Sequence, residues 1–456
     1  MNIRTLTKIE KRWGAKVKTE CHQLDEQMRG ERGPVTLVGT YSLVAGLVYL
    51  ALEQKPVHLR TLARELAGAR NRDLRVLDLT TRPSYRQLCY QLERLQRHLA
   101  STHTSTKHNV QHPMLDQLLD VLVAGSTENV EAHDTWAIDT HLFAAWVNQS
   151  TSHSADPDAG WRVMNTHKHK NGPVLGYQLV AAVRADGTEV CDRIRIIPAN
   201  HDDATPGVAT VHSLQQSGAQ VERVIADRGF TQKPALFLDP LRNAGVHLTF
   251  DLKESDIGVS STYKGALIID GWPHSPGLPA HLKVIKRPGL GAKKTAWDTY
   301  NKKMKQREAY QYLPHATPGV SSARVASPAH RKQIGCRAAK IPTPNGAPTC
   351  RVAHAPGDAC GLKTMTFSSS VAPRTFQFPV YGTKDWNEIW RKRSAVERFF
   401  GHLQSDHGAA FRAGRFRVRR LIKVAIATCA FVIATNLQLR EQAATKARAN
   451  ATPLTT

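Results

Sequence analysis

Residues Gly176–Ile197, GYQLVAAVRADGTEVCDRIRII, give the clearest indication of the fold because their pattern predicts two paired strands. Apolar and β-branched residues dominate Gly176–Arg184 and Glu189–Ile197, and the Asp-Gly dipeptide between them is a strong signal for a hairpin turn. Upstream, the short apolar segment Thr135–Asp139 (TWAID) predicts another strand, which ends at the aspartate. Together these segments predict an antiparallel meander.

Downstream of the hairpin, the pattern alternates between helices and strands. It predicts a helix near Thr210–Ser217, a strand at Val221–Ala226, a helix near Lys233–Ala244 and a strand at His247–Leu252. Strands that alternate with helical segments are typical of α/β proteins. We therefore predict an α/β fold in which a mixed sheet is flanked by helices.

Changes in composition divide the chain into segments with different predicted structures. These are an N-terminal helical domain (residues 1–126), the first part of the α/β domain (127–252), an inserted basic region of mainly β and loop structure (253–384), the second part of the α/β domain (385–441) and a disordered tail (442–456). Within the insertion, short strands are predicted at Ala266–Ile269, His281–Ile285 and Thr375–Phe378.

The N-terminal segment has the pattern either of a DNA-binding domain or of a plain helical bundle. Helices are predicted at Leu59–Ala67 and Tyr85–Leu99, and the second has a leucine stripe for packing at Leu88, Leu92, Leu95 and Leu99. Arg86 and Arg94 lie off this stripe and are candidate DNA contacts. The connection between the two helices is longer than the tight turn of a helix-turn-helix motif, so both interpretations stay open.

The charge balance points to a polyanionic partner. The 456 residues contain 62 Lys and Arg against 38 Asp and Glu, a net charge of +24, which favours nucleic acid over an anionic membrane. Much of the excess lies in two basic tracts, Lys283–Arg307 and Phe411–Lys423. The tracts are either DNA-binding surfaces or ordinary solvated faces. Their candidate DNA contacts are Lys293, Lys294 and Trp297 in the first tract and Arg415 and Arg417 in the second.

Cysteine use and hydropathy predict a cytoplasmic protein without a membrane partner. Seven cysteines suit a reducing compartment, and the N-terminus has no apolar signal core. Gly33–Leu52 and Val424–Leu439 are uncharged, but polar residues dilute the first, and the second is shorter than the about 20 apolar residues that a bilayer requires. We predict buried helices at both. The spacing of Cys336, Cys350, His354 and Cys360 favours free thiols over a zinc site.

Three carboxylates fall at positions that suit metal-dependent chemistry. Asp139 is predicted at the end of a strand, Asp227 directly follows another strand, and Glu397 lies in a helix predicted near Trp386–Gln404. A cluster of carboxylates is unfavourable unless cations neutralise it, and oxygen ligands suit Mg²⁺ or Mn²⁺. Two such ions can activate a water or a 3′-hydroxyl at a phosphodiester.

Four sequence motifs resemble those of one enzyme family. They are Ala137-Ile138-Asp139-Thr140, Ser154–Trp161 ahead of Gly176-Tyr177, Ile225–Phe230, and Trp390-x2-Arg393-x3-Glu397-x6-Gln404. With the order of strands and helices, they resemble the DDE transposases of bacterial insertion sequences, whose catalytic domain is ribonuclease-H-like. The fourth motif matches the family's Tyr-Arg-Glu-Lys signature, with Trp390 for the tyrosine and Gln404 for the lysine.

The resemblance implies a function and a set of roles. Asp139, Asp227 and Glu397 would hold two Mg²⁺ or Mn²⁺ ions, and the enzyme would cleave transposon ends and join the 3′-hydroxyl to target DNA. Its partners would be double-stranded DNA, namely the terminal inverted repeats and the target, and a second copy of the chain in a homodimer. The implied location is the bacterial cytoplasm, in association with the nucleoid.

Trp390, Arg393, Glu397 and Gln404 are predicted to share one face of a single helix, where the first two and Gln404 would contact end DNA. The family's lysine contacts end DNA, so Gln404 removes a charge that Lys392 or Arg398 could replace. Two alternatives stay open. One is a metal-dependent nuclease of the same fold without strand transfer, and the other is an inactive DNA-binding regulator.

Overall fold

The computed structural model describes residues 1–29, 37–101, 104–106, 109–127, 133–147, 155–163, 172–289, 291–353, 358–412 and 414–451. The chain divides into two compact units. The first comprises Met1–Gln220 and Ser394–Thr456, and the second comprises Val221–Arg393.

The described helices, in chain order, are α1 (Ile3–Ile9), α2 (Ala15–Arg29), α3 (Thr40–Leu52), α4 (Leu59–Ala67), α5 (Asn71–Val76), α6 (Tyr85–Ala100), α7 (Pro113–Thr127), α8 (Ala204–Gln216), α9 (Asp239–Asn243), α10 (Ala280–Lys283), α11 (Lys294–Glu308), α12 (Lys384–Arg391), α13 (Ser394–Gln404) and α14 (Leu421–Ala451). A π-helical turn, Glu10–Gly14, joins α1 to α2.

The described strands are β1 (Thr104–Thr106), β2 (Asn109–Gln111), β3 (Thr135–Ala144), β4 (Gly160–Arg162), β5 (Val174–Arg184), β6 (Cys191–Pro198), β7 (Arg223–Ala226), β8 (His247–Phe250), β9 (Val259–Tyr263), β10 (Ala266–Ile269), β11 (Trp272–His274), β12 (Leu313–Pro314), β13 (Ser322–Ala326), β14 (Gly335–Cys336), β15 (Thr349–Cys350) and β16 (Thr364–Ser368).

In the first unit, β5 pairs antiparallel with β3, β4 and β6, which confirms the predicted meander. The expectation that the first strand ends at Asp139 is wrong. Asp139 lies opposite Ala181, and the pairing continues as far as Ala144 opposite Gly176. At this point the strands approach so closely that a Cβ on Gly176 would lie 2.0 Å from the Phe143 carbonyl oxygen. Asp139 is therefore a mid-strand residue with paired backbone on both sides of it.

The core of the first unit surrounds helix α14. This helix packs against α3, α7 and β6, and almost all of its side chains from Leu421 to Leu439 are buried. One apolar core joins α14 to the N-terminal helices and to the meander. The predicted leucine stripe of α6, from Leu88 to Leu99, is part of it and is buried. Burial of the uncharged stretch Val424–Leu439 of α14 thus holds the unit together.

Helix α14 is longer than the sequence predicts. The apolar run expected at Val424–Leu439 begins at Leu421, and the segment expected to be a disordered tail is helical as far as Ala451, with residues 452–456 outside the described part. Within that part, Leu421–Ala449 is long and apolar enough to cross a membrane by length and composition, and 89% of its most apolar window is buried inside the protein. Buried core helices have the same properties.

Asn436 is a fully buried polar residue of α14, and its amide makes three hydrogen bonds. Its Oδ1 accepts a hydrogen bond from the Cys191 backbone N–H at 2.9 Å, and its Nδ2 donates to the Cys191 carbonyl at 2.7 Å and to Ser126 Oγ at 2.8 Å. Cys191 is the first residue of β6 and lies opposite Val183 of β5. The side chain therefore ties α14 to both α7 and the sheet.

The second unit contains a parallel pair, β7 with β8, and several small antiparallel groups. Strands β9, β10 and β11 form one group, and β12, β13 and β16 form another, each with apolar side chains packed beneath it. The predicted strand Ala266–Ile269 is confirmed as β10. The predicted strand His281–Ile285 is wrong because α10 covers Ala280–Lys283, and Thr375–Phe378 is not a strand.

In that last segment, the side chain of Gln377 makes hydrogen bonds to the backbone of Phe250 in β8. Its amide accepts from the Phe250 N–H and donates to the Phe250 carbonyl, both at 3.0 Å, and Trp386 Nε1 donates to the same amide oxygen at 2.9 Å. The amide thus takes the place of a neighbouring strand at the end of β8.

The predicted class, α/β with a mixed sheet flanked by helices, is confirmed. The predicted segment boundaries after residues 126, 252, 384 and 441 stay predictions. The two compact units meet in the sequence after Gln220 and after Arg393.

Replacing Asn436 by leucine should destabilise the protein, because it leaves the Cys191 N–H and carbonyl buried without partners. Each such group costs about 1–3 kcal/mol, so we expect the free energy of unfolding to fall by about 2–4 kcal/mol. Urea denaturation followed by circular dichroism measures the change. Gln442→Leu, on the exposed part of α14, is the matched control and should stay within about 0.5 kcal/mol of the parent. Equal losses for the two variants would contradict this account.

Candidate functional site

Asp139 and Glu397 lie on two elements that pack together in the first unit. Asp139 is partly buried in the middle of β3, and its Oδ1 accepts from the Thr140 N–H at 2.7 Å. Helix α13 packs on β3 and β5 through its apolar face, which consists of Ala395, Val396, Phe399, Phe400 and Leu403. Because that face is buried, Glu397 is left on the exposed side of the helix.

A side-chain hydrogen bond joins the same helix and strand. Gln404 Nε2 donates to His141 Nε2 at 2.8 Å, and His141 follows Asp139 by two residues on β3. The His141 ring also packs against Phe400, with centroids 5.2 Å apart. Burial lowers the pKa of His141 to about 4, so the imidazole is neutral near pH 7 and its Nε2 can accept. The predicted contact of Gln404 with end DNA stays a prediction.

Asp227 belongs to the second unit and directly follows β7, where the sequence predicts it. Its Oδ1 accepts from the Arg228 N–H at 2.5 Å, and Arg393 Nη2 lies 4.0 Å from its Oδ2. Arg393 stacks on Trp390 at 5.5 Å, and Trp390 stacks on the buried Trp386 at 5.4 Å. The aromatic pair therefore orients the arginine that faces Asp227.

The prediction of one helix from Trp386 to Gln404 is wrong. Helix α12 ends at Arg391, a turn at Lys392 and Arg393 follows, and α13 begins at Ser394. In the turn, the backbone N–H groups of Lys392 and Arg393 bond to carbonyls three residues back, at Ile389 and Trp390. These tighter bonds end the helix, as is common at helix C-termini. The four signature residues consequently do not share one helical face.

The three carboxylates have the right chemistry for Mg²⁺ or Mn²⁺, since they offer only oxygen donors. Asp139 and Glu397 lie in the first unit and Asp227 in the second. Among the described residues, no three His, Cys, Asp or Glu side chains form a group that could hold a metal ion. Which residues hold a metal therefore stays a prediction from the sequence.

The described cysteines considered for zinc form no disulfide. Cys336 and Cys350 lie opposite each other on the parallel pair β14–β15, and Cys360 is buried in the same apolar cluster. His354 lies outside the described residues.

The predicted DNA contacts of the first unit differ in exposure. Arg86 and Arg417 are exposed, Arg415 is half-buried, and Arg94 donates to the Asp25 carbonyl at 3.4 Å. Arg398 is exposed and bonds to Glu189 and, at 2.5 Å, to Ser394 Oγ. That these residues contact DNA stays a prediction.

The predicted contacts of the second unit lie on or near α11 and α12. Lys293, Lys294 and Lys392 are exposed, while Trp297 is half-buried with the Arg287 guanidinium 5.6 Å from its ring. At the end of the first basic tract, Arg307 is buried and bonds to Asp270 at 2.6 Å. Arg307 is thus structural and does not face a DNA backbone.

Sequence reasoning missed His141, although a spacing of two along a strand places it on the same face as Asp139. Asp156 and Asp158, within the second motif, have a structural role. Their carboxylates accept from the backbone N–H groups of Arg420 and Leu421, each at 3.0 Å, at the start of α14. Ser154, the first residue of that motif, lies outside the described part of the chain.

Comparisons with known proteins give no family assignment. No family model and no curated protein matches the chain. Among solved structures, it is similar to a piggyBac transposase in a synaptic complex with hairpin DNA, with 10% sequence identity, coverage of 98% of this chain and 76% of that chain, and a TM-score of 0.37. At this TM-score the likeness says nothing about the site.

His141 should make stability depend on pH. Its pKa is about 4 in the folded protein and near 6.5 in an unfolded chain, so between these values the unfolded state binds more protons. Its contribution is complete above pH 6.5 and is lost as the pH falls toward 4. His141→Gln keeps an acceptor for Gln404 and should lose less stability over this range, by at most about 1.4 kcal/mol per pH unit.

Thermal and urea unfolding at several pH values between pH 6.5 and 4.5 measure this difference. His212→Gln replaces an exposed histidine of α8 and should follow the parent curve. Parallel curves for the parent and His141→Gln would contradict the assignment.

Proposed function

We propose that this chain is a DNA transposase that cleaves the ends of its element and joins the freed 3′-hydroxyl to target DNA. The observation that carries the proposal is the packing of the Glu397 helix on the Asp139 strand, fixed by the hydrogen bond from Gln404 to His141 at 2.8 Å. Two residues of the sequence signature, Glu397 and Gln404, thus lie on a helix that is tied to the strand holding the first aspartate.

In this proposal the acidic residues bind metal ions, and Arg393 positions one of them. Asp139, Asp227 and Glu397 would hold two Mg²⁺ or Mn²⁺ ions, which when bound supply activation of the attacking oxygen and stabilisation of the leaving one. Arg393, 4.0 Å from Asp227 and stacked on Trp390, would hold that carboxylate in place or bind a DNA phosphate. Glu397, on the exposed side of α13, is accessible to a substrate strand.

The partners in this proposal are the terminal inverted repeats and target DNA, with a homodimer holding two ends. The net charge of +24 supports a DNA partner, because phosphate neutralisation supplies much of the affinity of such proteins. We propose the same cytoplasmic, nucleoid-associated location that the sequence predicts.

The test is strand cleavage and joining on DNA that contains the sequences flanking this reading frame, with Mg²⁺. Asp139→Asn, Asp227→Asn and Glu397→Gln should each reduce cleavage at least about a hundredfold, since each removes a charge that the chemistry requires. Glu388→Gln, an exposed carboxylate of α12, is the matched control and should cleave like the parent. Circular dichroism, and DNA binding in EDTA, check that the variants fold.

The products separate this proposal from its alternatives. Cleavage without a joined product would indicate a nuclease of the same fold, and DNA binding without Mg²⁺-dependent cleavage would indicate a regulator. Full activity in any one of the three carboxylate variants would sink the assignment of the site.

A further inference from the structure

A groove of about 630 Å³ lies in the first unit, and none of the signature residues lines it. It is lined by the starts of helices α4 and α6, by Trp146 just beyond β3, and by Arg417–Lys423 at the start of α14. The proposed transposase chemistry assigns no role to this groove. Its lining combines exposed aromatic rings with a concentration of positive charge.

Two large aromatic side chains are exposed in the groove. Trp146 is 41% exposed and Tyr85 is 44% exposed. The guanidinium groups of Arg419 and Arg417 lie 5.1 and 6.0 Å from the centre of the Trp146 ring. The guanidinium of Arg60 lies 5.6 Å from the centre of the Tyr85 ring. The Arg419 Nε also donates to the Trp146 carbonyl at 3.3 Å, which fixes the two residues together. The groove therefore presents rings whose partners are cations rather than apolar side chains.

The groove is strongly positive. Its lining carboxylate, Glu93, is already paired with Lys423, and Arg420 lies 3.5 Å from Asp158. By contrast, no carboxylate among the described residues pairs with the three arginines that lie on the rings. His58 also lines the groove. Its pKa is lowered by burial and by the positive charges of Arg417, Arg64 and Arg60.

We propose that this groove binds a single strand of DNA, with unpaired bases stacked on Trp146 and Tyr85 and phosphates held by Arg60, Arg417 and Arg419. Exposed rings beside arginines are the means by which proteins bind unpaired strands, because any base offers a face for stacking. In a duplex the base faces are covered by their neighbours, so duplex DNA would use the arginines and leave the rings without a role. The two rings therefore favour a single strand.

This inference extends the proposed function by naming a second DNA-binding site, but the binding itself needs no metal and no cleavage. The full chain is titrated in EDTA against a fluorescein-labelled DNA strand of about 12 nucleotides, and anisotropy is read at several salt concentrations. A duplex of the same sequence is titrated in parallel. The strand should bind more tightly than the duplex.

The variants separate stacking from charge. Trp146→Ala should weaken binding of the strand about tenfold without changing its salt dependence, and Trp146→Phe should restore most of the affinity, since a ring is kept. The double variant Arg417→Gln, Arg419→Gln should weaken binding and reduce the slope of log K against log salt by about 0.7 for each phosphate that is no longer neutralised. Trp161→Ala, 39% exposed on β4 outside the groove, and Lys446→Gln at the exposed end of α14 should bind like the parent.

Equal affinity of Trp146→Ala and Trp161→Ala for the strand would overturn the proposal. So would equal or tighter binding of the duplex with no effect of the Trp146 variants. The outcome is independent of catalysis, because Asp227→Asn should bind the strand like the parent. If the groove variants bind the strand like the parent while cleavage is intact, only this inference is refuted. If the groove variants weaken strand binding as expected but no cleavage is found, only the proposed function is refuted.

Discussion

The burial of helix α14 is the constraint on which the first unit depends. The run Val424–Leu439 has no charged residue, so it must be covered, and α3, α7 and β6 cover it. An amide in such a core is tolerable only if its hydrogen bonds are made, and Asn436 makes them with Cys191 and Ser126. Because the covering elements come from both the N-terminal helices and the meander, these two segments share one core instead of forming separate ones.

The same helix places the segments that border the proposed single-strand groove. Asp156 and Asp158 accept from the first backbone N–H groups at the start of α14, which holds Arg420 and Leu421 in position. The arginines just before them then lie beside Trp146, and Lys423 reaches Glu93 on α6. Packing of an apolar helix thus determines where a basic, aromatic surface is formed, and the sequence distance between these residues gives no sign of it.

Local patterns predicted the parts of the fold that local physics determines. The hairpin β5–β6, the leucine stripe of α6 and the position of Asp227 after β7 follow from alternation, helical spacing and turn residues. The errors concern where elements end. β3 continues past Asp139 because β5, far along the chain, pairs with it. The helix around Trp390 ends in the tighter hydrogen bonds of Lys392 and Arg393, which the spacing of the signature residues does not reveal.

For the candidate site, the sequence predicts the acidic residues but not the hydrogen bond that joins the strand of Asp139 to the helix of Glu397. His141 is half-buried and neutral, so its Nε2 can accept a hydrogen bond, and the exposed amide of Gln404 donates it. The glutamine at the position where the resemblance implies a lysine therefore meets a histidine that lies two residues after Asp139 on the neighbouring strand, and the two side chains form one contact between α13 and β3.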